Sequence, residues 1–209
     1  MSVRVKICGI TTPAQALMVQ DAGADLLGLV IYNKSSRYVD VQRAVQIRQV
    51  IGPQAQCVAL LVNADADFVR HVFDQVKPDL LQFHGDESPS FCQQFDVPFI
   101  RAIRMREGLD IDAEVREYEA PGGVLFDAWS KDQYGGTGHQ FDWSRLPSAA
   151  AMPNGTPLIL AGGLTPDNVA DAVRLVGPNM VDVSGGVEST PGVKDVTKVT
   201  AFIHNAKNA

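Results

Sequence analysis

Residues 158–186 read LILAGGLTPDNVADAVRLVGPNMVDVSGG, and this stretch decides the architecture. Leu158 to Gly162 is an apolar run of strand length. Thr165-Pro166 is a helix-starting pair, because threonine caps and proline suits the first helical position. The amphipathic run that follows ends near Val176, and Met180 to Ser184 is again strand-like. A strand, a crossover helix and a second strand make one parallel unit. Each strand here also runs into a Gly-Gly pair, Gly162-Gly163 and Gly185-Gly186.

Outward from this stretch the same unit recurs. Strand candidates are 3–8, 25–31, 57–62, 80–84, 99–104, 123–128, 158–162 and 180–184. Helical stretches lie near 12–22, 41–51, 64–76, 87–95, 110–118, 142–150, 166–176 and 195–207. Eight units in strict alternation predict a closed barrel, and 209 residues sit near the lower limit of about 200 for that fold. An open doubly wound sheet is the rival, and no GxGxxG follows the first strand to support it. The expected fold is α/β, a (β/α)8 TIM barrel, as a single compact domain over 1–209.

With 45% hydrophobic and 20% charged residues the chain can fill one core. The net charge of −6 and the lack of a basic run argue against nucleic acid. No apolar stretch is long enough to span a bilayer, so no membrane partner is expected. Met1-Ser2-Val3-Arg4 has no apolar targeting region, and the expected location is cytoplasmic. Cys8, Cys57 and Cys92 lack metal-ligand or disulfide spacing and are expected as free thiols, with no metal.

In a barrel the active site sits at the carboxyl ends of the strands. Those ends carry Cys8-Gly9, then Lys34 and Arg37, Asn63, His84-Gly85-Asp86, Arg104 and Asp127, then the glycine-rich 134–143 and the two Gly-Gly loops. Gly162, Gly163, Gly185 and Gly186 follow strands 7 and 8, where such barrels hold phosphate, and a short helix from Gly186 would aim its dipole there. Cys8 shares a face with Lys6, whose charge is expected to lower the thiol pKa. Asp127 ends an otherwise apolar strand. A thiolate base and a carboxylic acid across one mouth suit a proton-shuttling isomerisation. Arg37 offers a bidentate fork for a carboxylate.

In the first strand, Arg4, Lys6 and Cys8 share one face and Val5 and Ile7 the other. Asp182 and Ser184 share a face of the last strand. Strands 1 and 8 are neighbours in a closed barrel, so Lys6 and Asp182 are expected to pair inside it. Arg4 is expected to find a separate acidic partner at the barrel floor.

The ordered set VKICGIT, SSRYV, LLQFHGDE, GGTGHQFDW, LILAGGLTPDNV and VDVSGGVESTPGVKD resembles the phosphoribosylanthranilate isomerases of tryptophan biosynthesis. The resemblance implies Cys8 as general base and Asp127 as general acid. It implies Arg37 on the anthranilate carboxylate, His84 in the substrate site, and Gly163, Ser184 and Gly186 around the phosphate. Gly162, Gly185 and Asp182 complete the expected substrate-binding set. The implied reaction is an Amadori rearrangement on a small phosphorylated substrate that needs no cofactor, with a monomer preferred over a homodimer. Ser36 stands where the family often has proline, and Gly185 where it often has serine. A histidine-pathway isomerase would carry aspartates at both strand ends, an indole-glycerol-phosphate synthase a lysine acid, an epimerase clustered metal ligands, and a non-catalytic sensor neither Cys8 nor Asp127.

Overall fold

In a computed structural model, which describes residues 2–118, 120–128 and 141–209, eight parallel strands close into a barrel in sequence order. They are β1 (Arg4–Cys8), β2 (Leu26–Val30), β3 (Gln56–Leu61), β4 (Leu80–Phe83), β5 (Phe99–Met105), β6 (Gly123–Ala128), β7 (Leu158–Leu160) and β8 (Met180–Val183). Around them lie α1 (Pro13–Asp21), α2 (Val41–Val50), α3 (Ala66–Val76), α4 (Pro89–Gln93), α5 (Ile111–Tyr118), α6 (Val169–Val176) and α7 (Val196–Lys207). A small hairpin, β9 (Glu188–Thr190) with β10 (Val193–Lys194), follows β8.

The helices start where capping chemistry permits. The side chains of Thr12, Asp40, Asp65, Ser88 and Asp195 each accept a backbone N–H of the first turn. Each such cap contributes about 1 kcal/mol. Period-two alternation then sorts the strands. Val5, Ile7, Leu27, Leu29, Phe126, Val181 and Val183 pack outward with the helices. Leu26, Val58, Ile100, Ala102, Leu125, Ile159 and Met180 fill the barrel interior. Cys8, Val30, Leu60 and Val62 form a third cluster above it, at the carboxyl ends of the strands.

The cover is not eightfold. The helix expected over 142–150 is absent, and three single 3-10 turns stand there: Trp143–Arg145, Ala149–Ala151 and Pro153–Gly155. Two prolines explain the difference. A residue before proline is pushed out of the helical region. Leu146 before Pro147 has ψ 142°, and Met152 before Pro153 has ψ 134°. The helix expected from 166 starts at Val169, because the Asn168 side chain closes the preceding turn onto Thr165 N and Gly163 O. No helix among the described residues is long and apolar enough to cross a membrane.

Lys6 and Asp182 are register partners on β1 and β8, and their side chains meet inside the barrel with Nζ–Oδ1 2.8 Å. The Lys6 side chain is fully buried. Burial alone would pull its ammonium below the ordinary value, but the charges of Asp182 and Cys8 outweigh it and hold the pKa above. Arg4 is on the same face at the floor, but it is exposed and donates to Gln56 Oε1 at 2.6 Å. Its partner is an amide, not the expected acid, since an exposed guanidinium keeps its water and needs no counter-charge.

Removing one member of a buried pair strands the other, at a cost of about 3–5 kcal/mol. Asp182→Leu is expected to lose about that much stability in urea unfolding, and the Asp182→Leu/Lys6→Met double variant to recover much of it. Strict additivity of the two single substitutions would overturn the pairing.

Candidate active site

A cleft lies at the carboxyl ends of the strands and opens to solvent. Cys8, Arg37, His84, Asp127, Gly162, Gly163, Asp182, Ser184, Gly185 and Gly186 all line it. The sequence-derived set therefore converges on one site. Residues 134–140 of the glycine-rich segment lie outside the described residues.

Cys8 is the last residue of β1, and its neighbour Gly9 turns away by donating to Gly28 O. Gly28 of β2 faces the same interior. A Cβ there would stand 2.7 Å from Cys8 Sγ and 3.2 Å from Lys6 Nζ, so only glycine leaves the thiol and the ammonium their room. The expected thiol pKa is not what the geometry yields. Burial pushes the Cys8 thiol up, and the nearby Lys6 and Lys194 ammoniums only partly oppose it, while Asp182 adds to the rise. A neighbouring cation lowers a thiol pKa, but here the loss of water outweighs it. Cys57 and Cys92 are buried among apolar groups, which pushes both up to about 12.

Asp127 ends β6 with one oxygen on its own chain, Oδ1 accepting from Ala128 N at 2.8 Å. The other oxygen lies 3.3 Å from His84 Nε2. His84 Nδ1 in turn meets Gln82 Nε2 at 2.9 Å. With the amide N–H donating to Nδ1, the proton of a neutral ring sits on Nε2 and faces Asp127. The His84–Asp127 contact is close but not aligned as a hydrogen bond, and His84 Nε2 and Gln82 Oε1 have no bonded partner among the described residues. Gly162 has φ +78°, and a Cβ there would press on Ala128 N and Asp127 Oδ1. The first Gly-Gly loop and the acid are thus fitted to each other.

The two Gly-Gly loops form one rim. Among the described residues no protein group accepts the N–H of Gly163, Gly185 or Gly186. Free backbone donors converging on a cleft make an anion cradle. The helix expected from Gly186 is a single 3-10 turn, Gly185–Val187, because Glu188 to Thr190 is drawn into the β9–β10 hairpin. The cradle therefore rests on individual N–H groups, not on the dipole of a long helix. Ser184 Oγ donates to Cys8 O at 3.0 Å, so the second loop is tied to the strand that carries the thiol.

Arg37 lies on the loop after β2. The Ser35 hydroxyl accepts from Arg37 N at 3.1 Å and closes the turn. The guanidinium is already engaged on one edge: Nε and Nη2 each donate to Glu188 at 2.8 Å. Glu188 and its second cation Lys194 were missed as functional groups. The signal was present in VESTPGVK, since a Pro-Gly turn predicts a hairpin, and the hairpin brings Lys194 opposite Glu188. Among the described residues no cluster of His, Cys, Asp and Glu could hold a metal ion.

Residues 5–205 match the family model described as N-(5'phosphoribosyl)anthranilate (PRA) isomerase. The chain belongs to this family. It is 48% identical over 204 residues to the N-(5'-phosphoribosyl)anthranilate isomerase of Neisseria gonorrhoeae, covering 98% of this chain and 96% of that one. A relative of the same description from Pseudomonas paraeruginosa is 48% identical over 202 residues, 97% of this chain and 94% of that one. Among solved structures, the phosphoribosyl anthranilate isomerase of Thermotoga maritima superposes with a TM-score of 0.89 at 36% identity, covering 99% of this chain and 100% of that one. A phosphoribosyl anthranilate isomerase in complex with reduced 1-(o-carboxyphenylamino)-1-deoxyribulose 5-phosphate gives 0.85 at 34% identity, with the same coverage.

The rise in the Cys8 pKa has a testable sign. A raised thiol stays protonated to higher pH in the fold than in the unfolded chain, and alkylation needs the thiolate. Native Cys8 is expected to react with iodoacetamide only at a pH above the range of an ordinary cysteine. Lys6→Met removes a lowering charge and should move the profile higher still. An ordinary profile in the native protein, or no change in Lys6→Met, would contradict the assignment.

Proposed function

We propose that the chain catalyses the Amadori rearrangement of N-(5-phosphoribosyl)anthranilate to 1-(2-carboxyphenylamino)-1-deoxyribulose 5-phosphate, with Cys8 as general base and Asp127 as general acid. The observation that carries this reading is the convergence of a thiol, a carboxyl, a guanidinium and two unpaired N–H loops on one cleft. Family membership supports the same activity.

Asp127 donates a proton to the ribose ring oxygen. The C1–O bond breaks, its electrons stay on oxygen, and the anilino nitrogen lone pair forms the C1=N iminium. Cys8, as thiolate, then takes the proton from C2. The C–H electrons become the C1=C2 bond, and the iminium π electrons return to nitrogen. The resulting enol loses its hydroxyl proton and gains one at C1, which leaves the C2 ketone. The iminium is the electron sink, so these steps use only proton transfers. It also places a positive charge beside Cys8, which opposes the burial that holds the thiol protonated.

Gly162, Gly163, Ser184, Gly185 and Gly186 are assigned to the phosphate, and the free edge of Arg37 to the anthranilate carboxylate. His84 is assigned to the acid's side of the substrate, where its Nε2 can steady the Asp127 carboxylate left after proton donation. Asp182 is assigned to the base's side through Lys6. Every group invoked comes from one chain, so a monomer suffices for this reading.

Turnover of N-(5-phosphoribosyl)anthranilate by the purified protein, followed by loss of anthranilate-type fluorescence, tests the reading, and no turnover would refute it. Cys8→Ala and Asp127→Asn are each expected to lower kcat by about 10²–10⁴ while the far-ultraviolet circular dichroism stays unchanged. Arg37→Met is expected to act mainly on KM. A wild-type kcat in either catalytic variant would remove that residue from its role.

A further inference from the structure

Lys194 is a lysine with no exposed side-chain surface, on a two-residue strand at the rim of the cleft. A buried ammonium needs counter-charge and acceptors. It finds Glu188 Oε1 at 2.7 Å and Ser184 O at 3.1 Å. Glu188 is nearly as buried, and its carboxylate takes three donors: Arg37 Nε and Nη2 at 2.8 Å each, and Lys194 Nζ. Its backbone oxygen takes a fourth, Lys198 Nζ at 2.8 Å. Nothing in the reaction requires a carboxylate here, yet two cations are gathered on it.

A guanidinium has five N–H donors arranged as two forks. Glu188 fills the fork made by Nε and one Nη2 hydrogen. The other fork, Nη1 with the second Nη2 hydrogen, has no partner among the described residues, and Arg37 lines the cleft. Holding one edge fixes the plane of the guanidinium and aims the other edge. We propose that Glu188, braced by Lys194, is the positioning residue that presents the open fork of Arg37 to the substrate's aryl carboxylate.

The bracing links three parts of the site. Lys194 holds Glu188 on one side and the Ser184 carbonyl on the other, and Ser184 Oγ holds the Cys8 carbonyl. Carboxylate clamp, phosphate rim and base strand thereby share one hydrogen-bonded chain. Burial pulls the Lys194 ammonium below its ordinary value, with the charge and hydrogen bond of Glu188 opposing it; with Lys194 protonated the Arg37–Glu188–Lys194 trio carries one net positive charge, which suits a substrate bearing a carboxylate and a phosphate. Burial pushes the Glu188 carboxyl up, but the hydrogen bonds and charges of Arg37 and Lys194 outweigh it and hold the group below its ordinary value, so Glu188 is anionic at neutral pH.

This proposal rests on Arg37 being the carboxylate clamp, and the test separates the two. Steady-state kinetics compare N-(5-phosphoribosyl)anthranilate with the analogue that lacks the carboxylate, N-(5-phosphoribosyl)aniline. Glu188→Gln is expected to raise KM for the first about tenfold, with kcat within about twofold, and to leave KM for the second near the wild-type value. Lys194→Met should shift KM the same way. In the Arg37→Met background Glu188→Gln should add little further. Equal effects on both substrates, or full additivity with Arg37→Met, would make Glu188 a structural residue only and overturn the proposal. If Arg37→Met itself fails to discriminate the two substrates, the clamp assignment falls first and the positioning role with it. Should Glu188→Gln not fold, Glu188→Asp keeps the charge but withdraws it by one methylene, and is judged by the same outcomes.

Discussion

A lysine sealed inside a protein demands a partner, and the pairing of Lys6 with Asp182 sets much else in this molecule. The two residues sit opposite each other on the first and last strands, at the seam where the barrel closes. Their contact requires that Lys6 and Asp182 both face inward. Strand alternation then sends Val5, Ile7, Val181 and Val183 outward into the helical layer and brings Cys8 to the top of the interior face. One ion pair thus joins the closure of the fold to the placement of the thiol. A slip of one residue on either strand would bury a charge against leucine and valine side chains.

Above that pair the site is a set of mutually supported polar groups. The side chains proposed to react or bind are held in place by other groups of the protein. Asp127 gives one oxygen to its own backbone and turns the other toward His84. Arg37 gives one edge to Glu188. Electrostatic preorganisation of this kind spares the reaction the cost of reorienting dipoles as charge develops.

Much of this could be read from the residues, and the exceptions have physical causes. Alternation in VRVKIC and MVDVS showed the interior pair, because period two is a local property. Helix starts at Thr12 and Ser88 were legible because capping is also local. A helix is expected over 142–150, but Pro147 and Pro153 force the residues before them into extended conformations. Glu188 reaches Arg37 across 151 positions, and Lys194 becomes relevant only once the hairpin folds. The direction of the Cys8 shift depends on how much water is excluded, which spacing does not report.

Gly28 carries a consequence for how far such a barrel can be improved. Glycine in the middle of a strand forfeits backbone order and packs nothing, and replacing it is a common route to a sturdier protein. Here the volume a side chain would take belongs to the thiol and the ammonium. A side chain at that position would displace both groups, so the strand keeps a weak link where the proposed base needs its room. Outward-facing positions of the same strand carry no such conflict. Tolerance to change in this barrel is therefore divided by the wall itself, with a permissive outer surface and an inner one where a single methyl group competes with the chemistry.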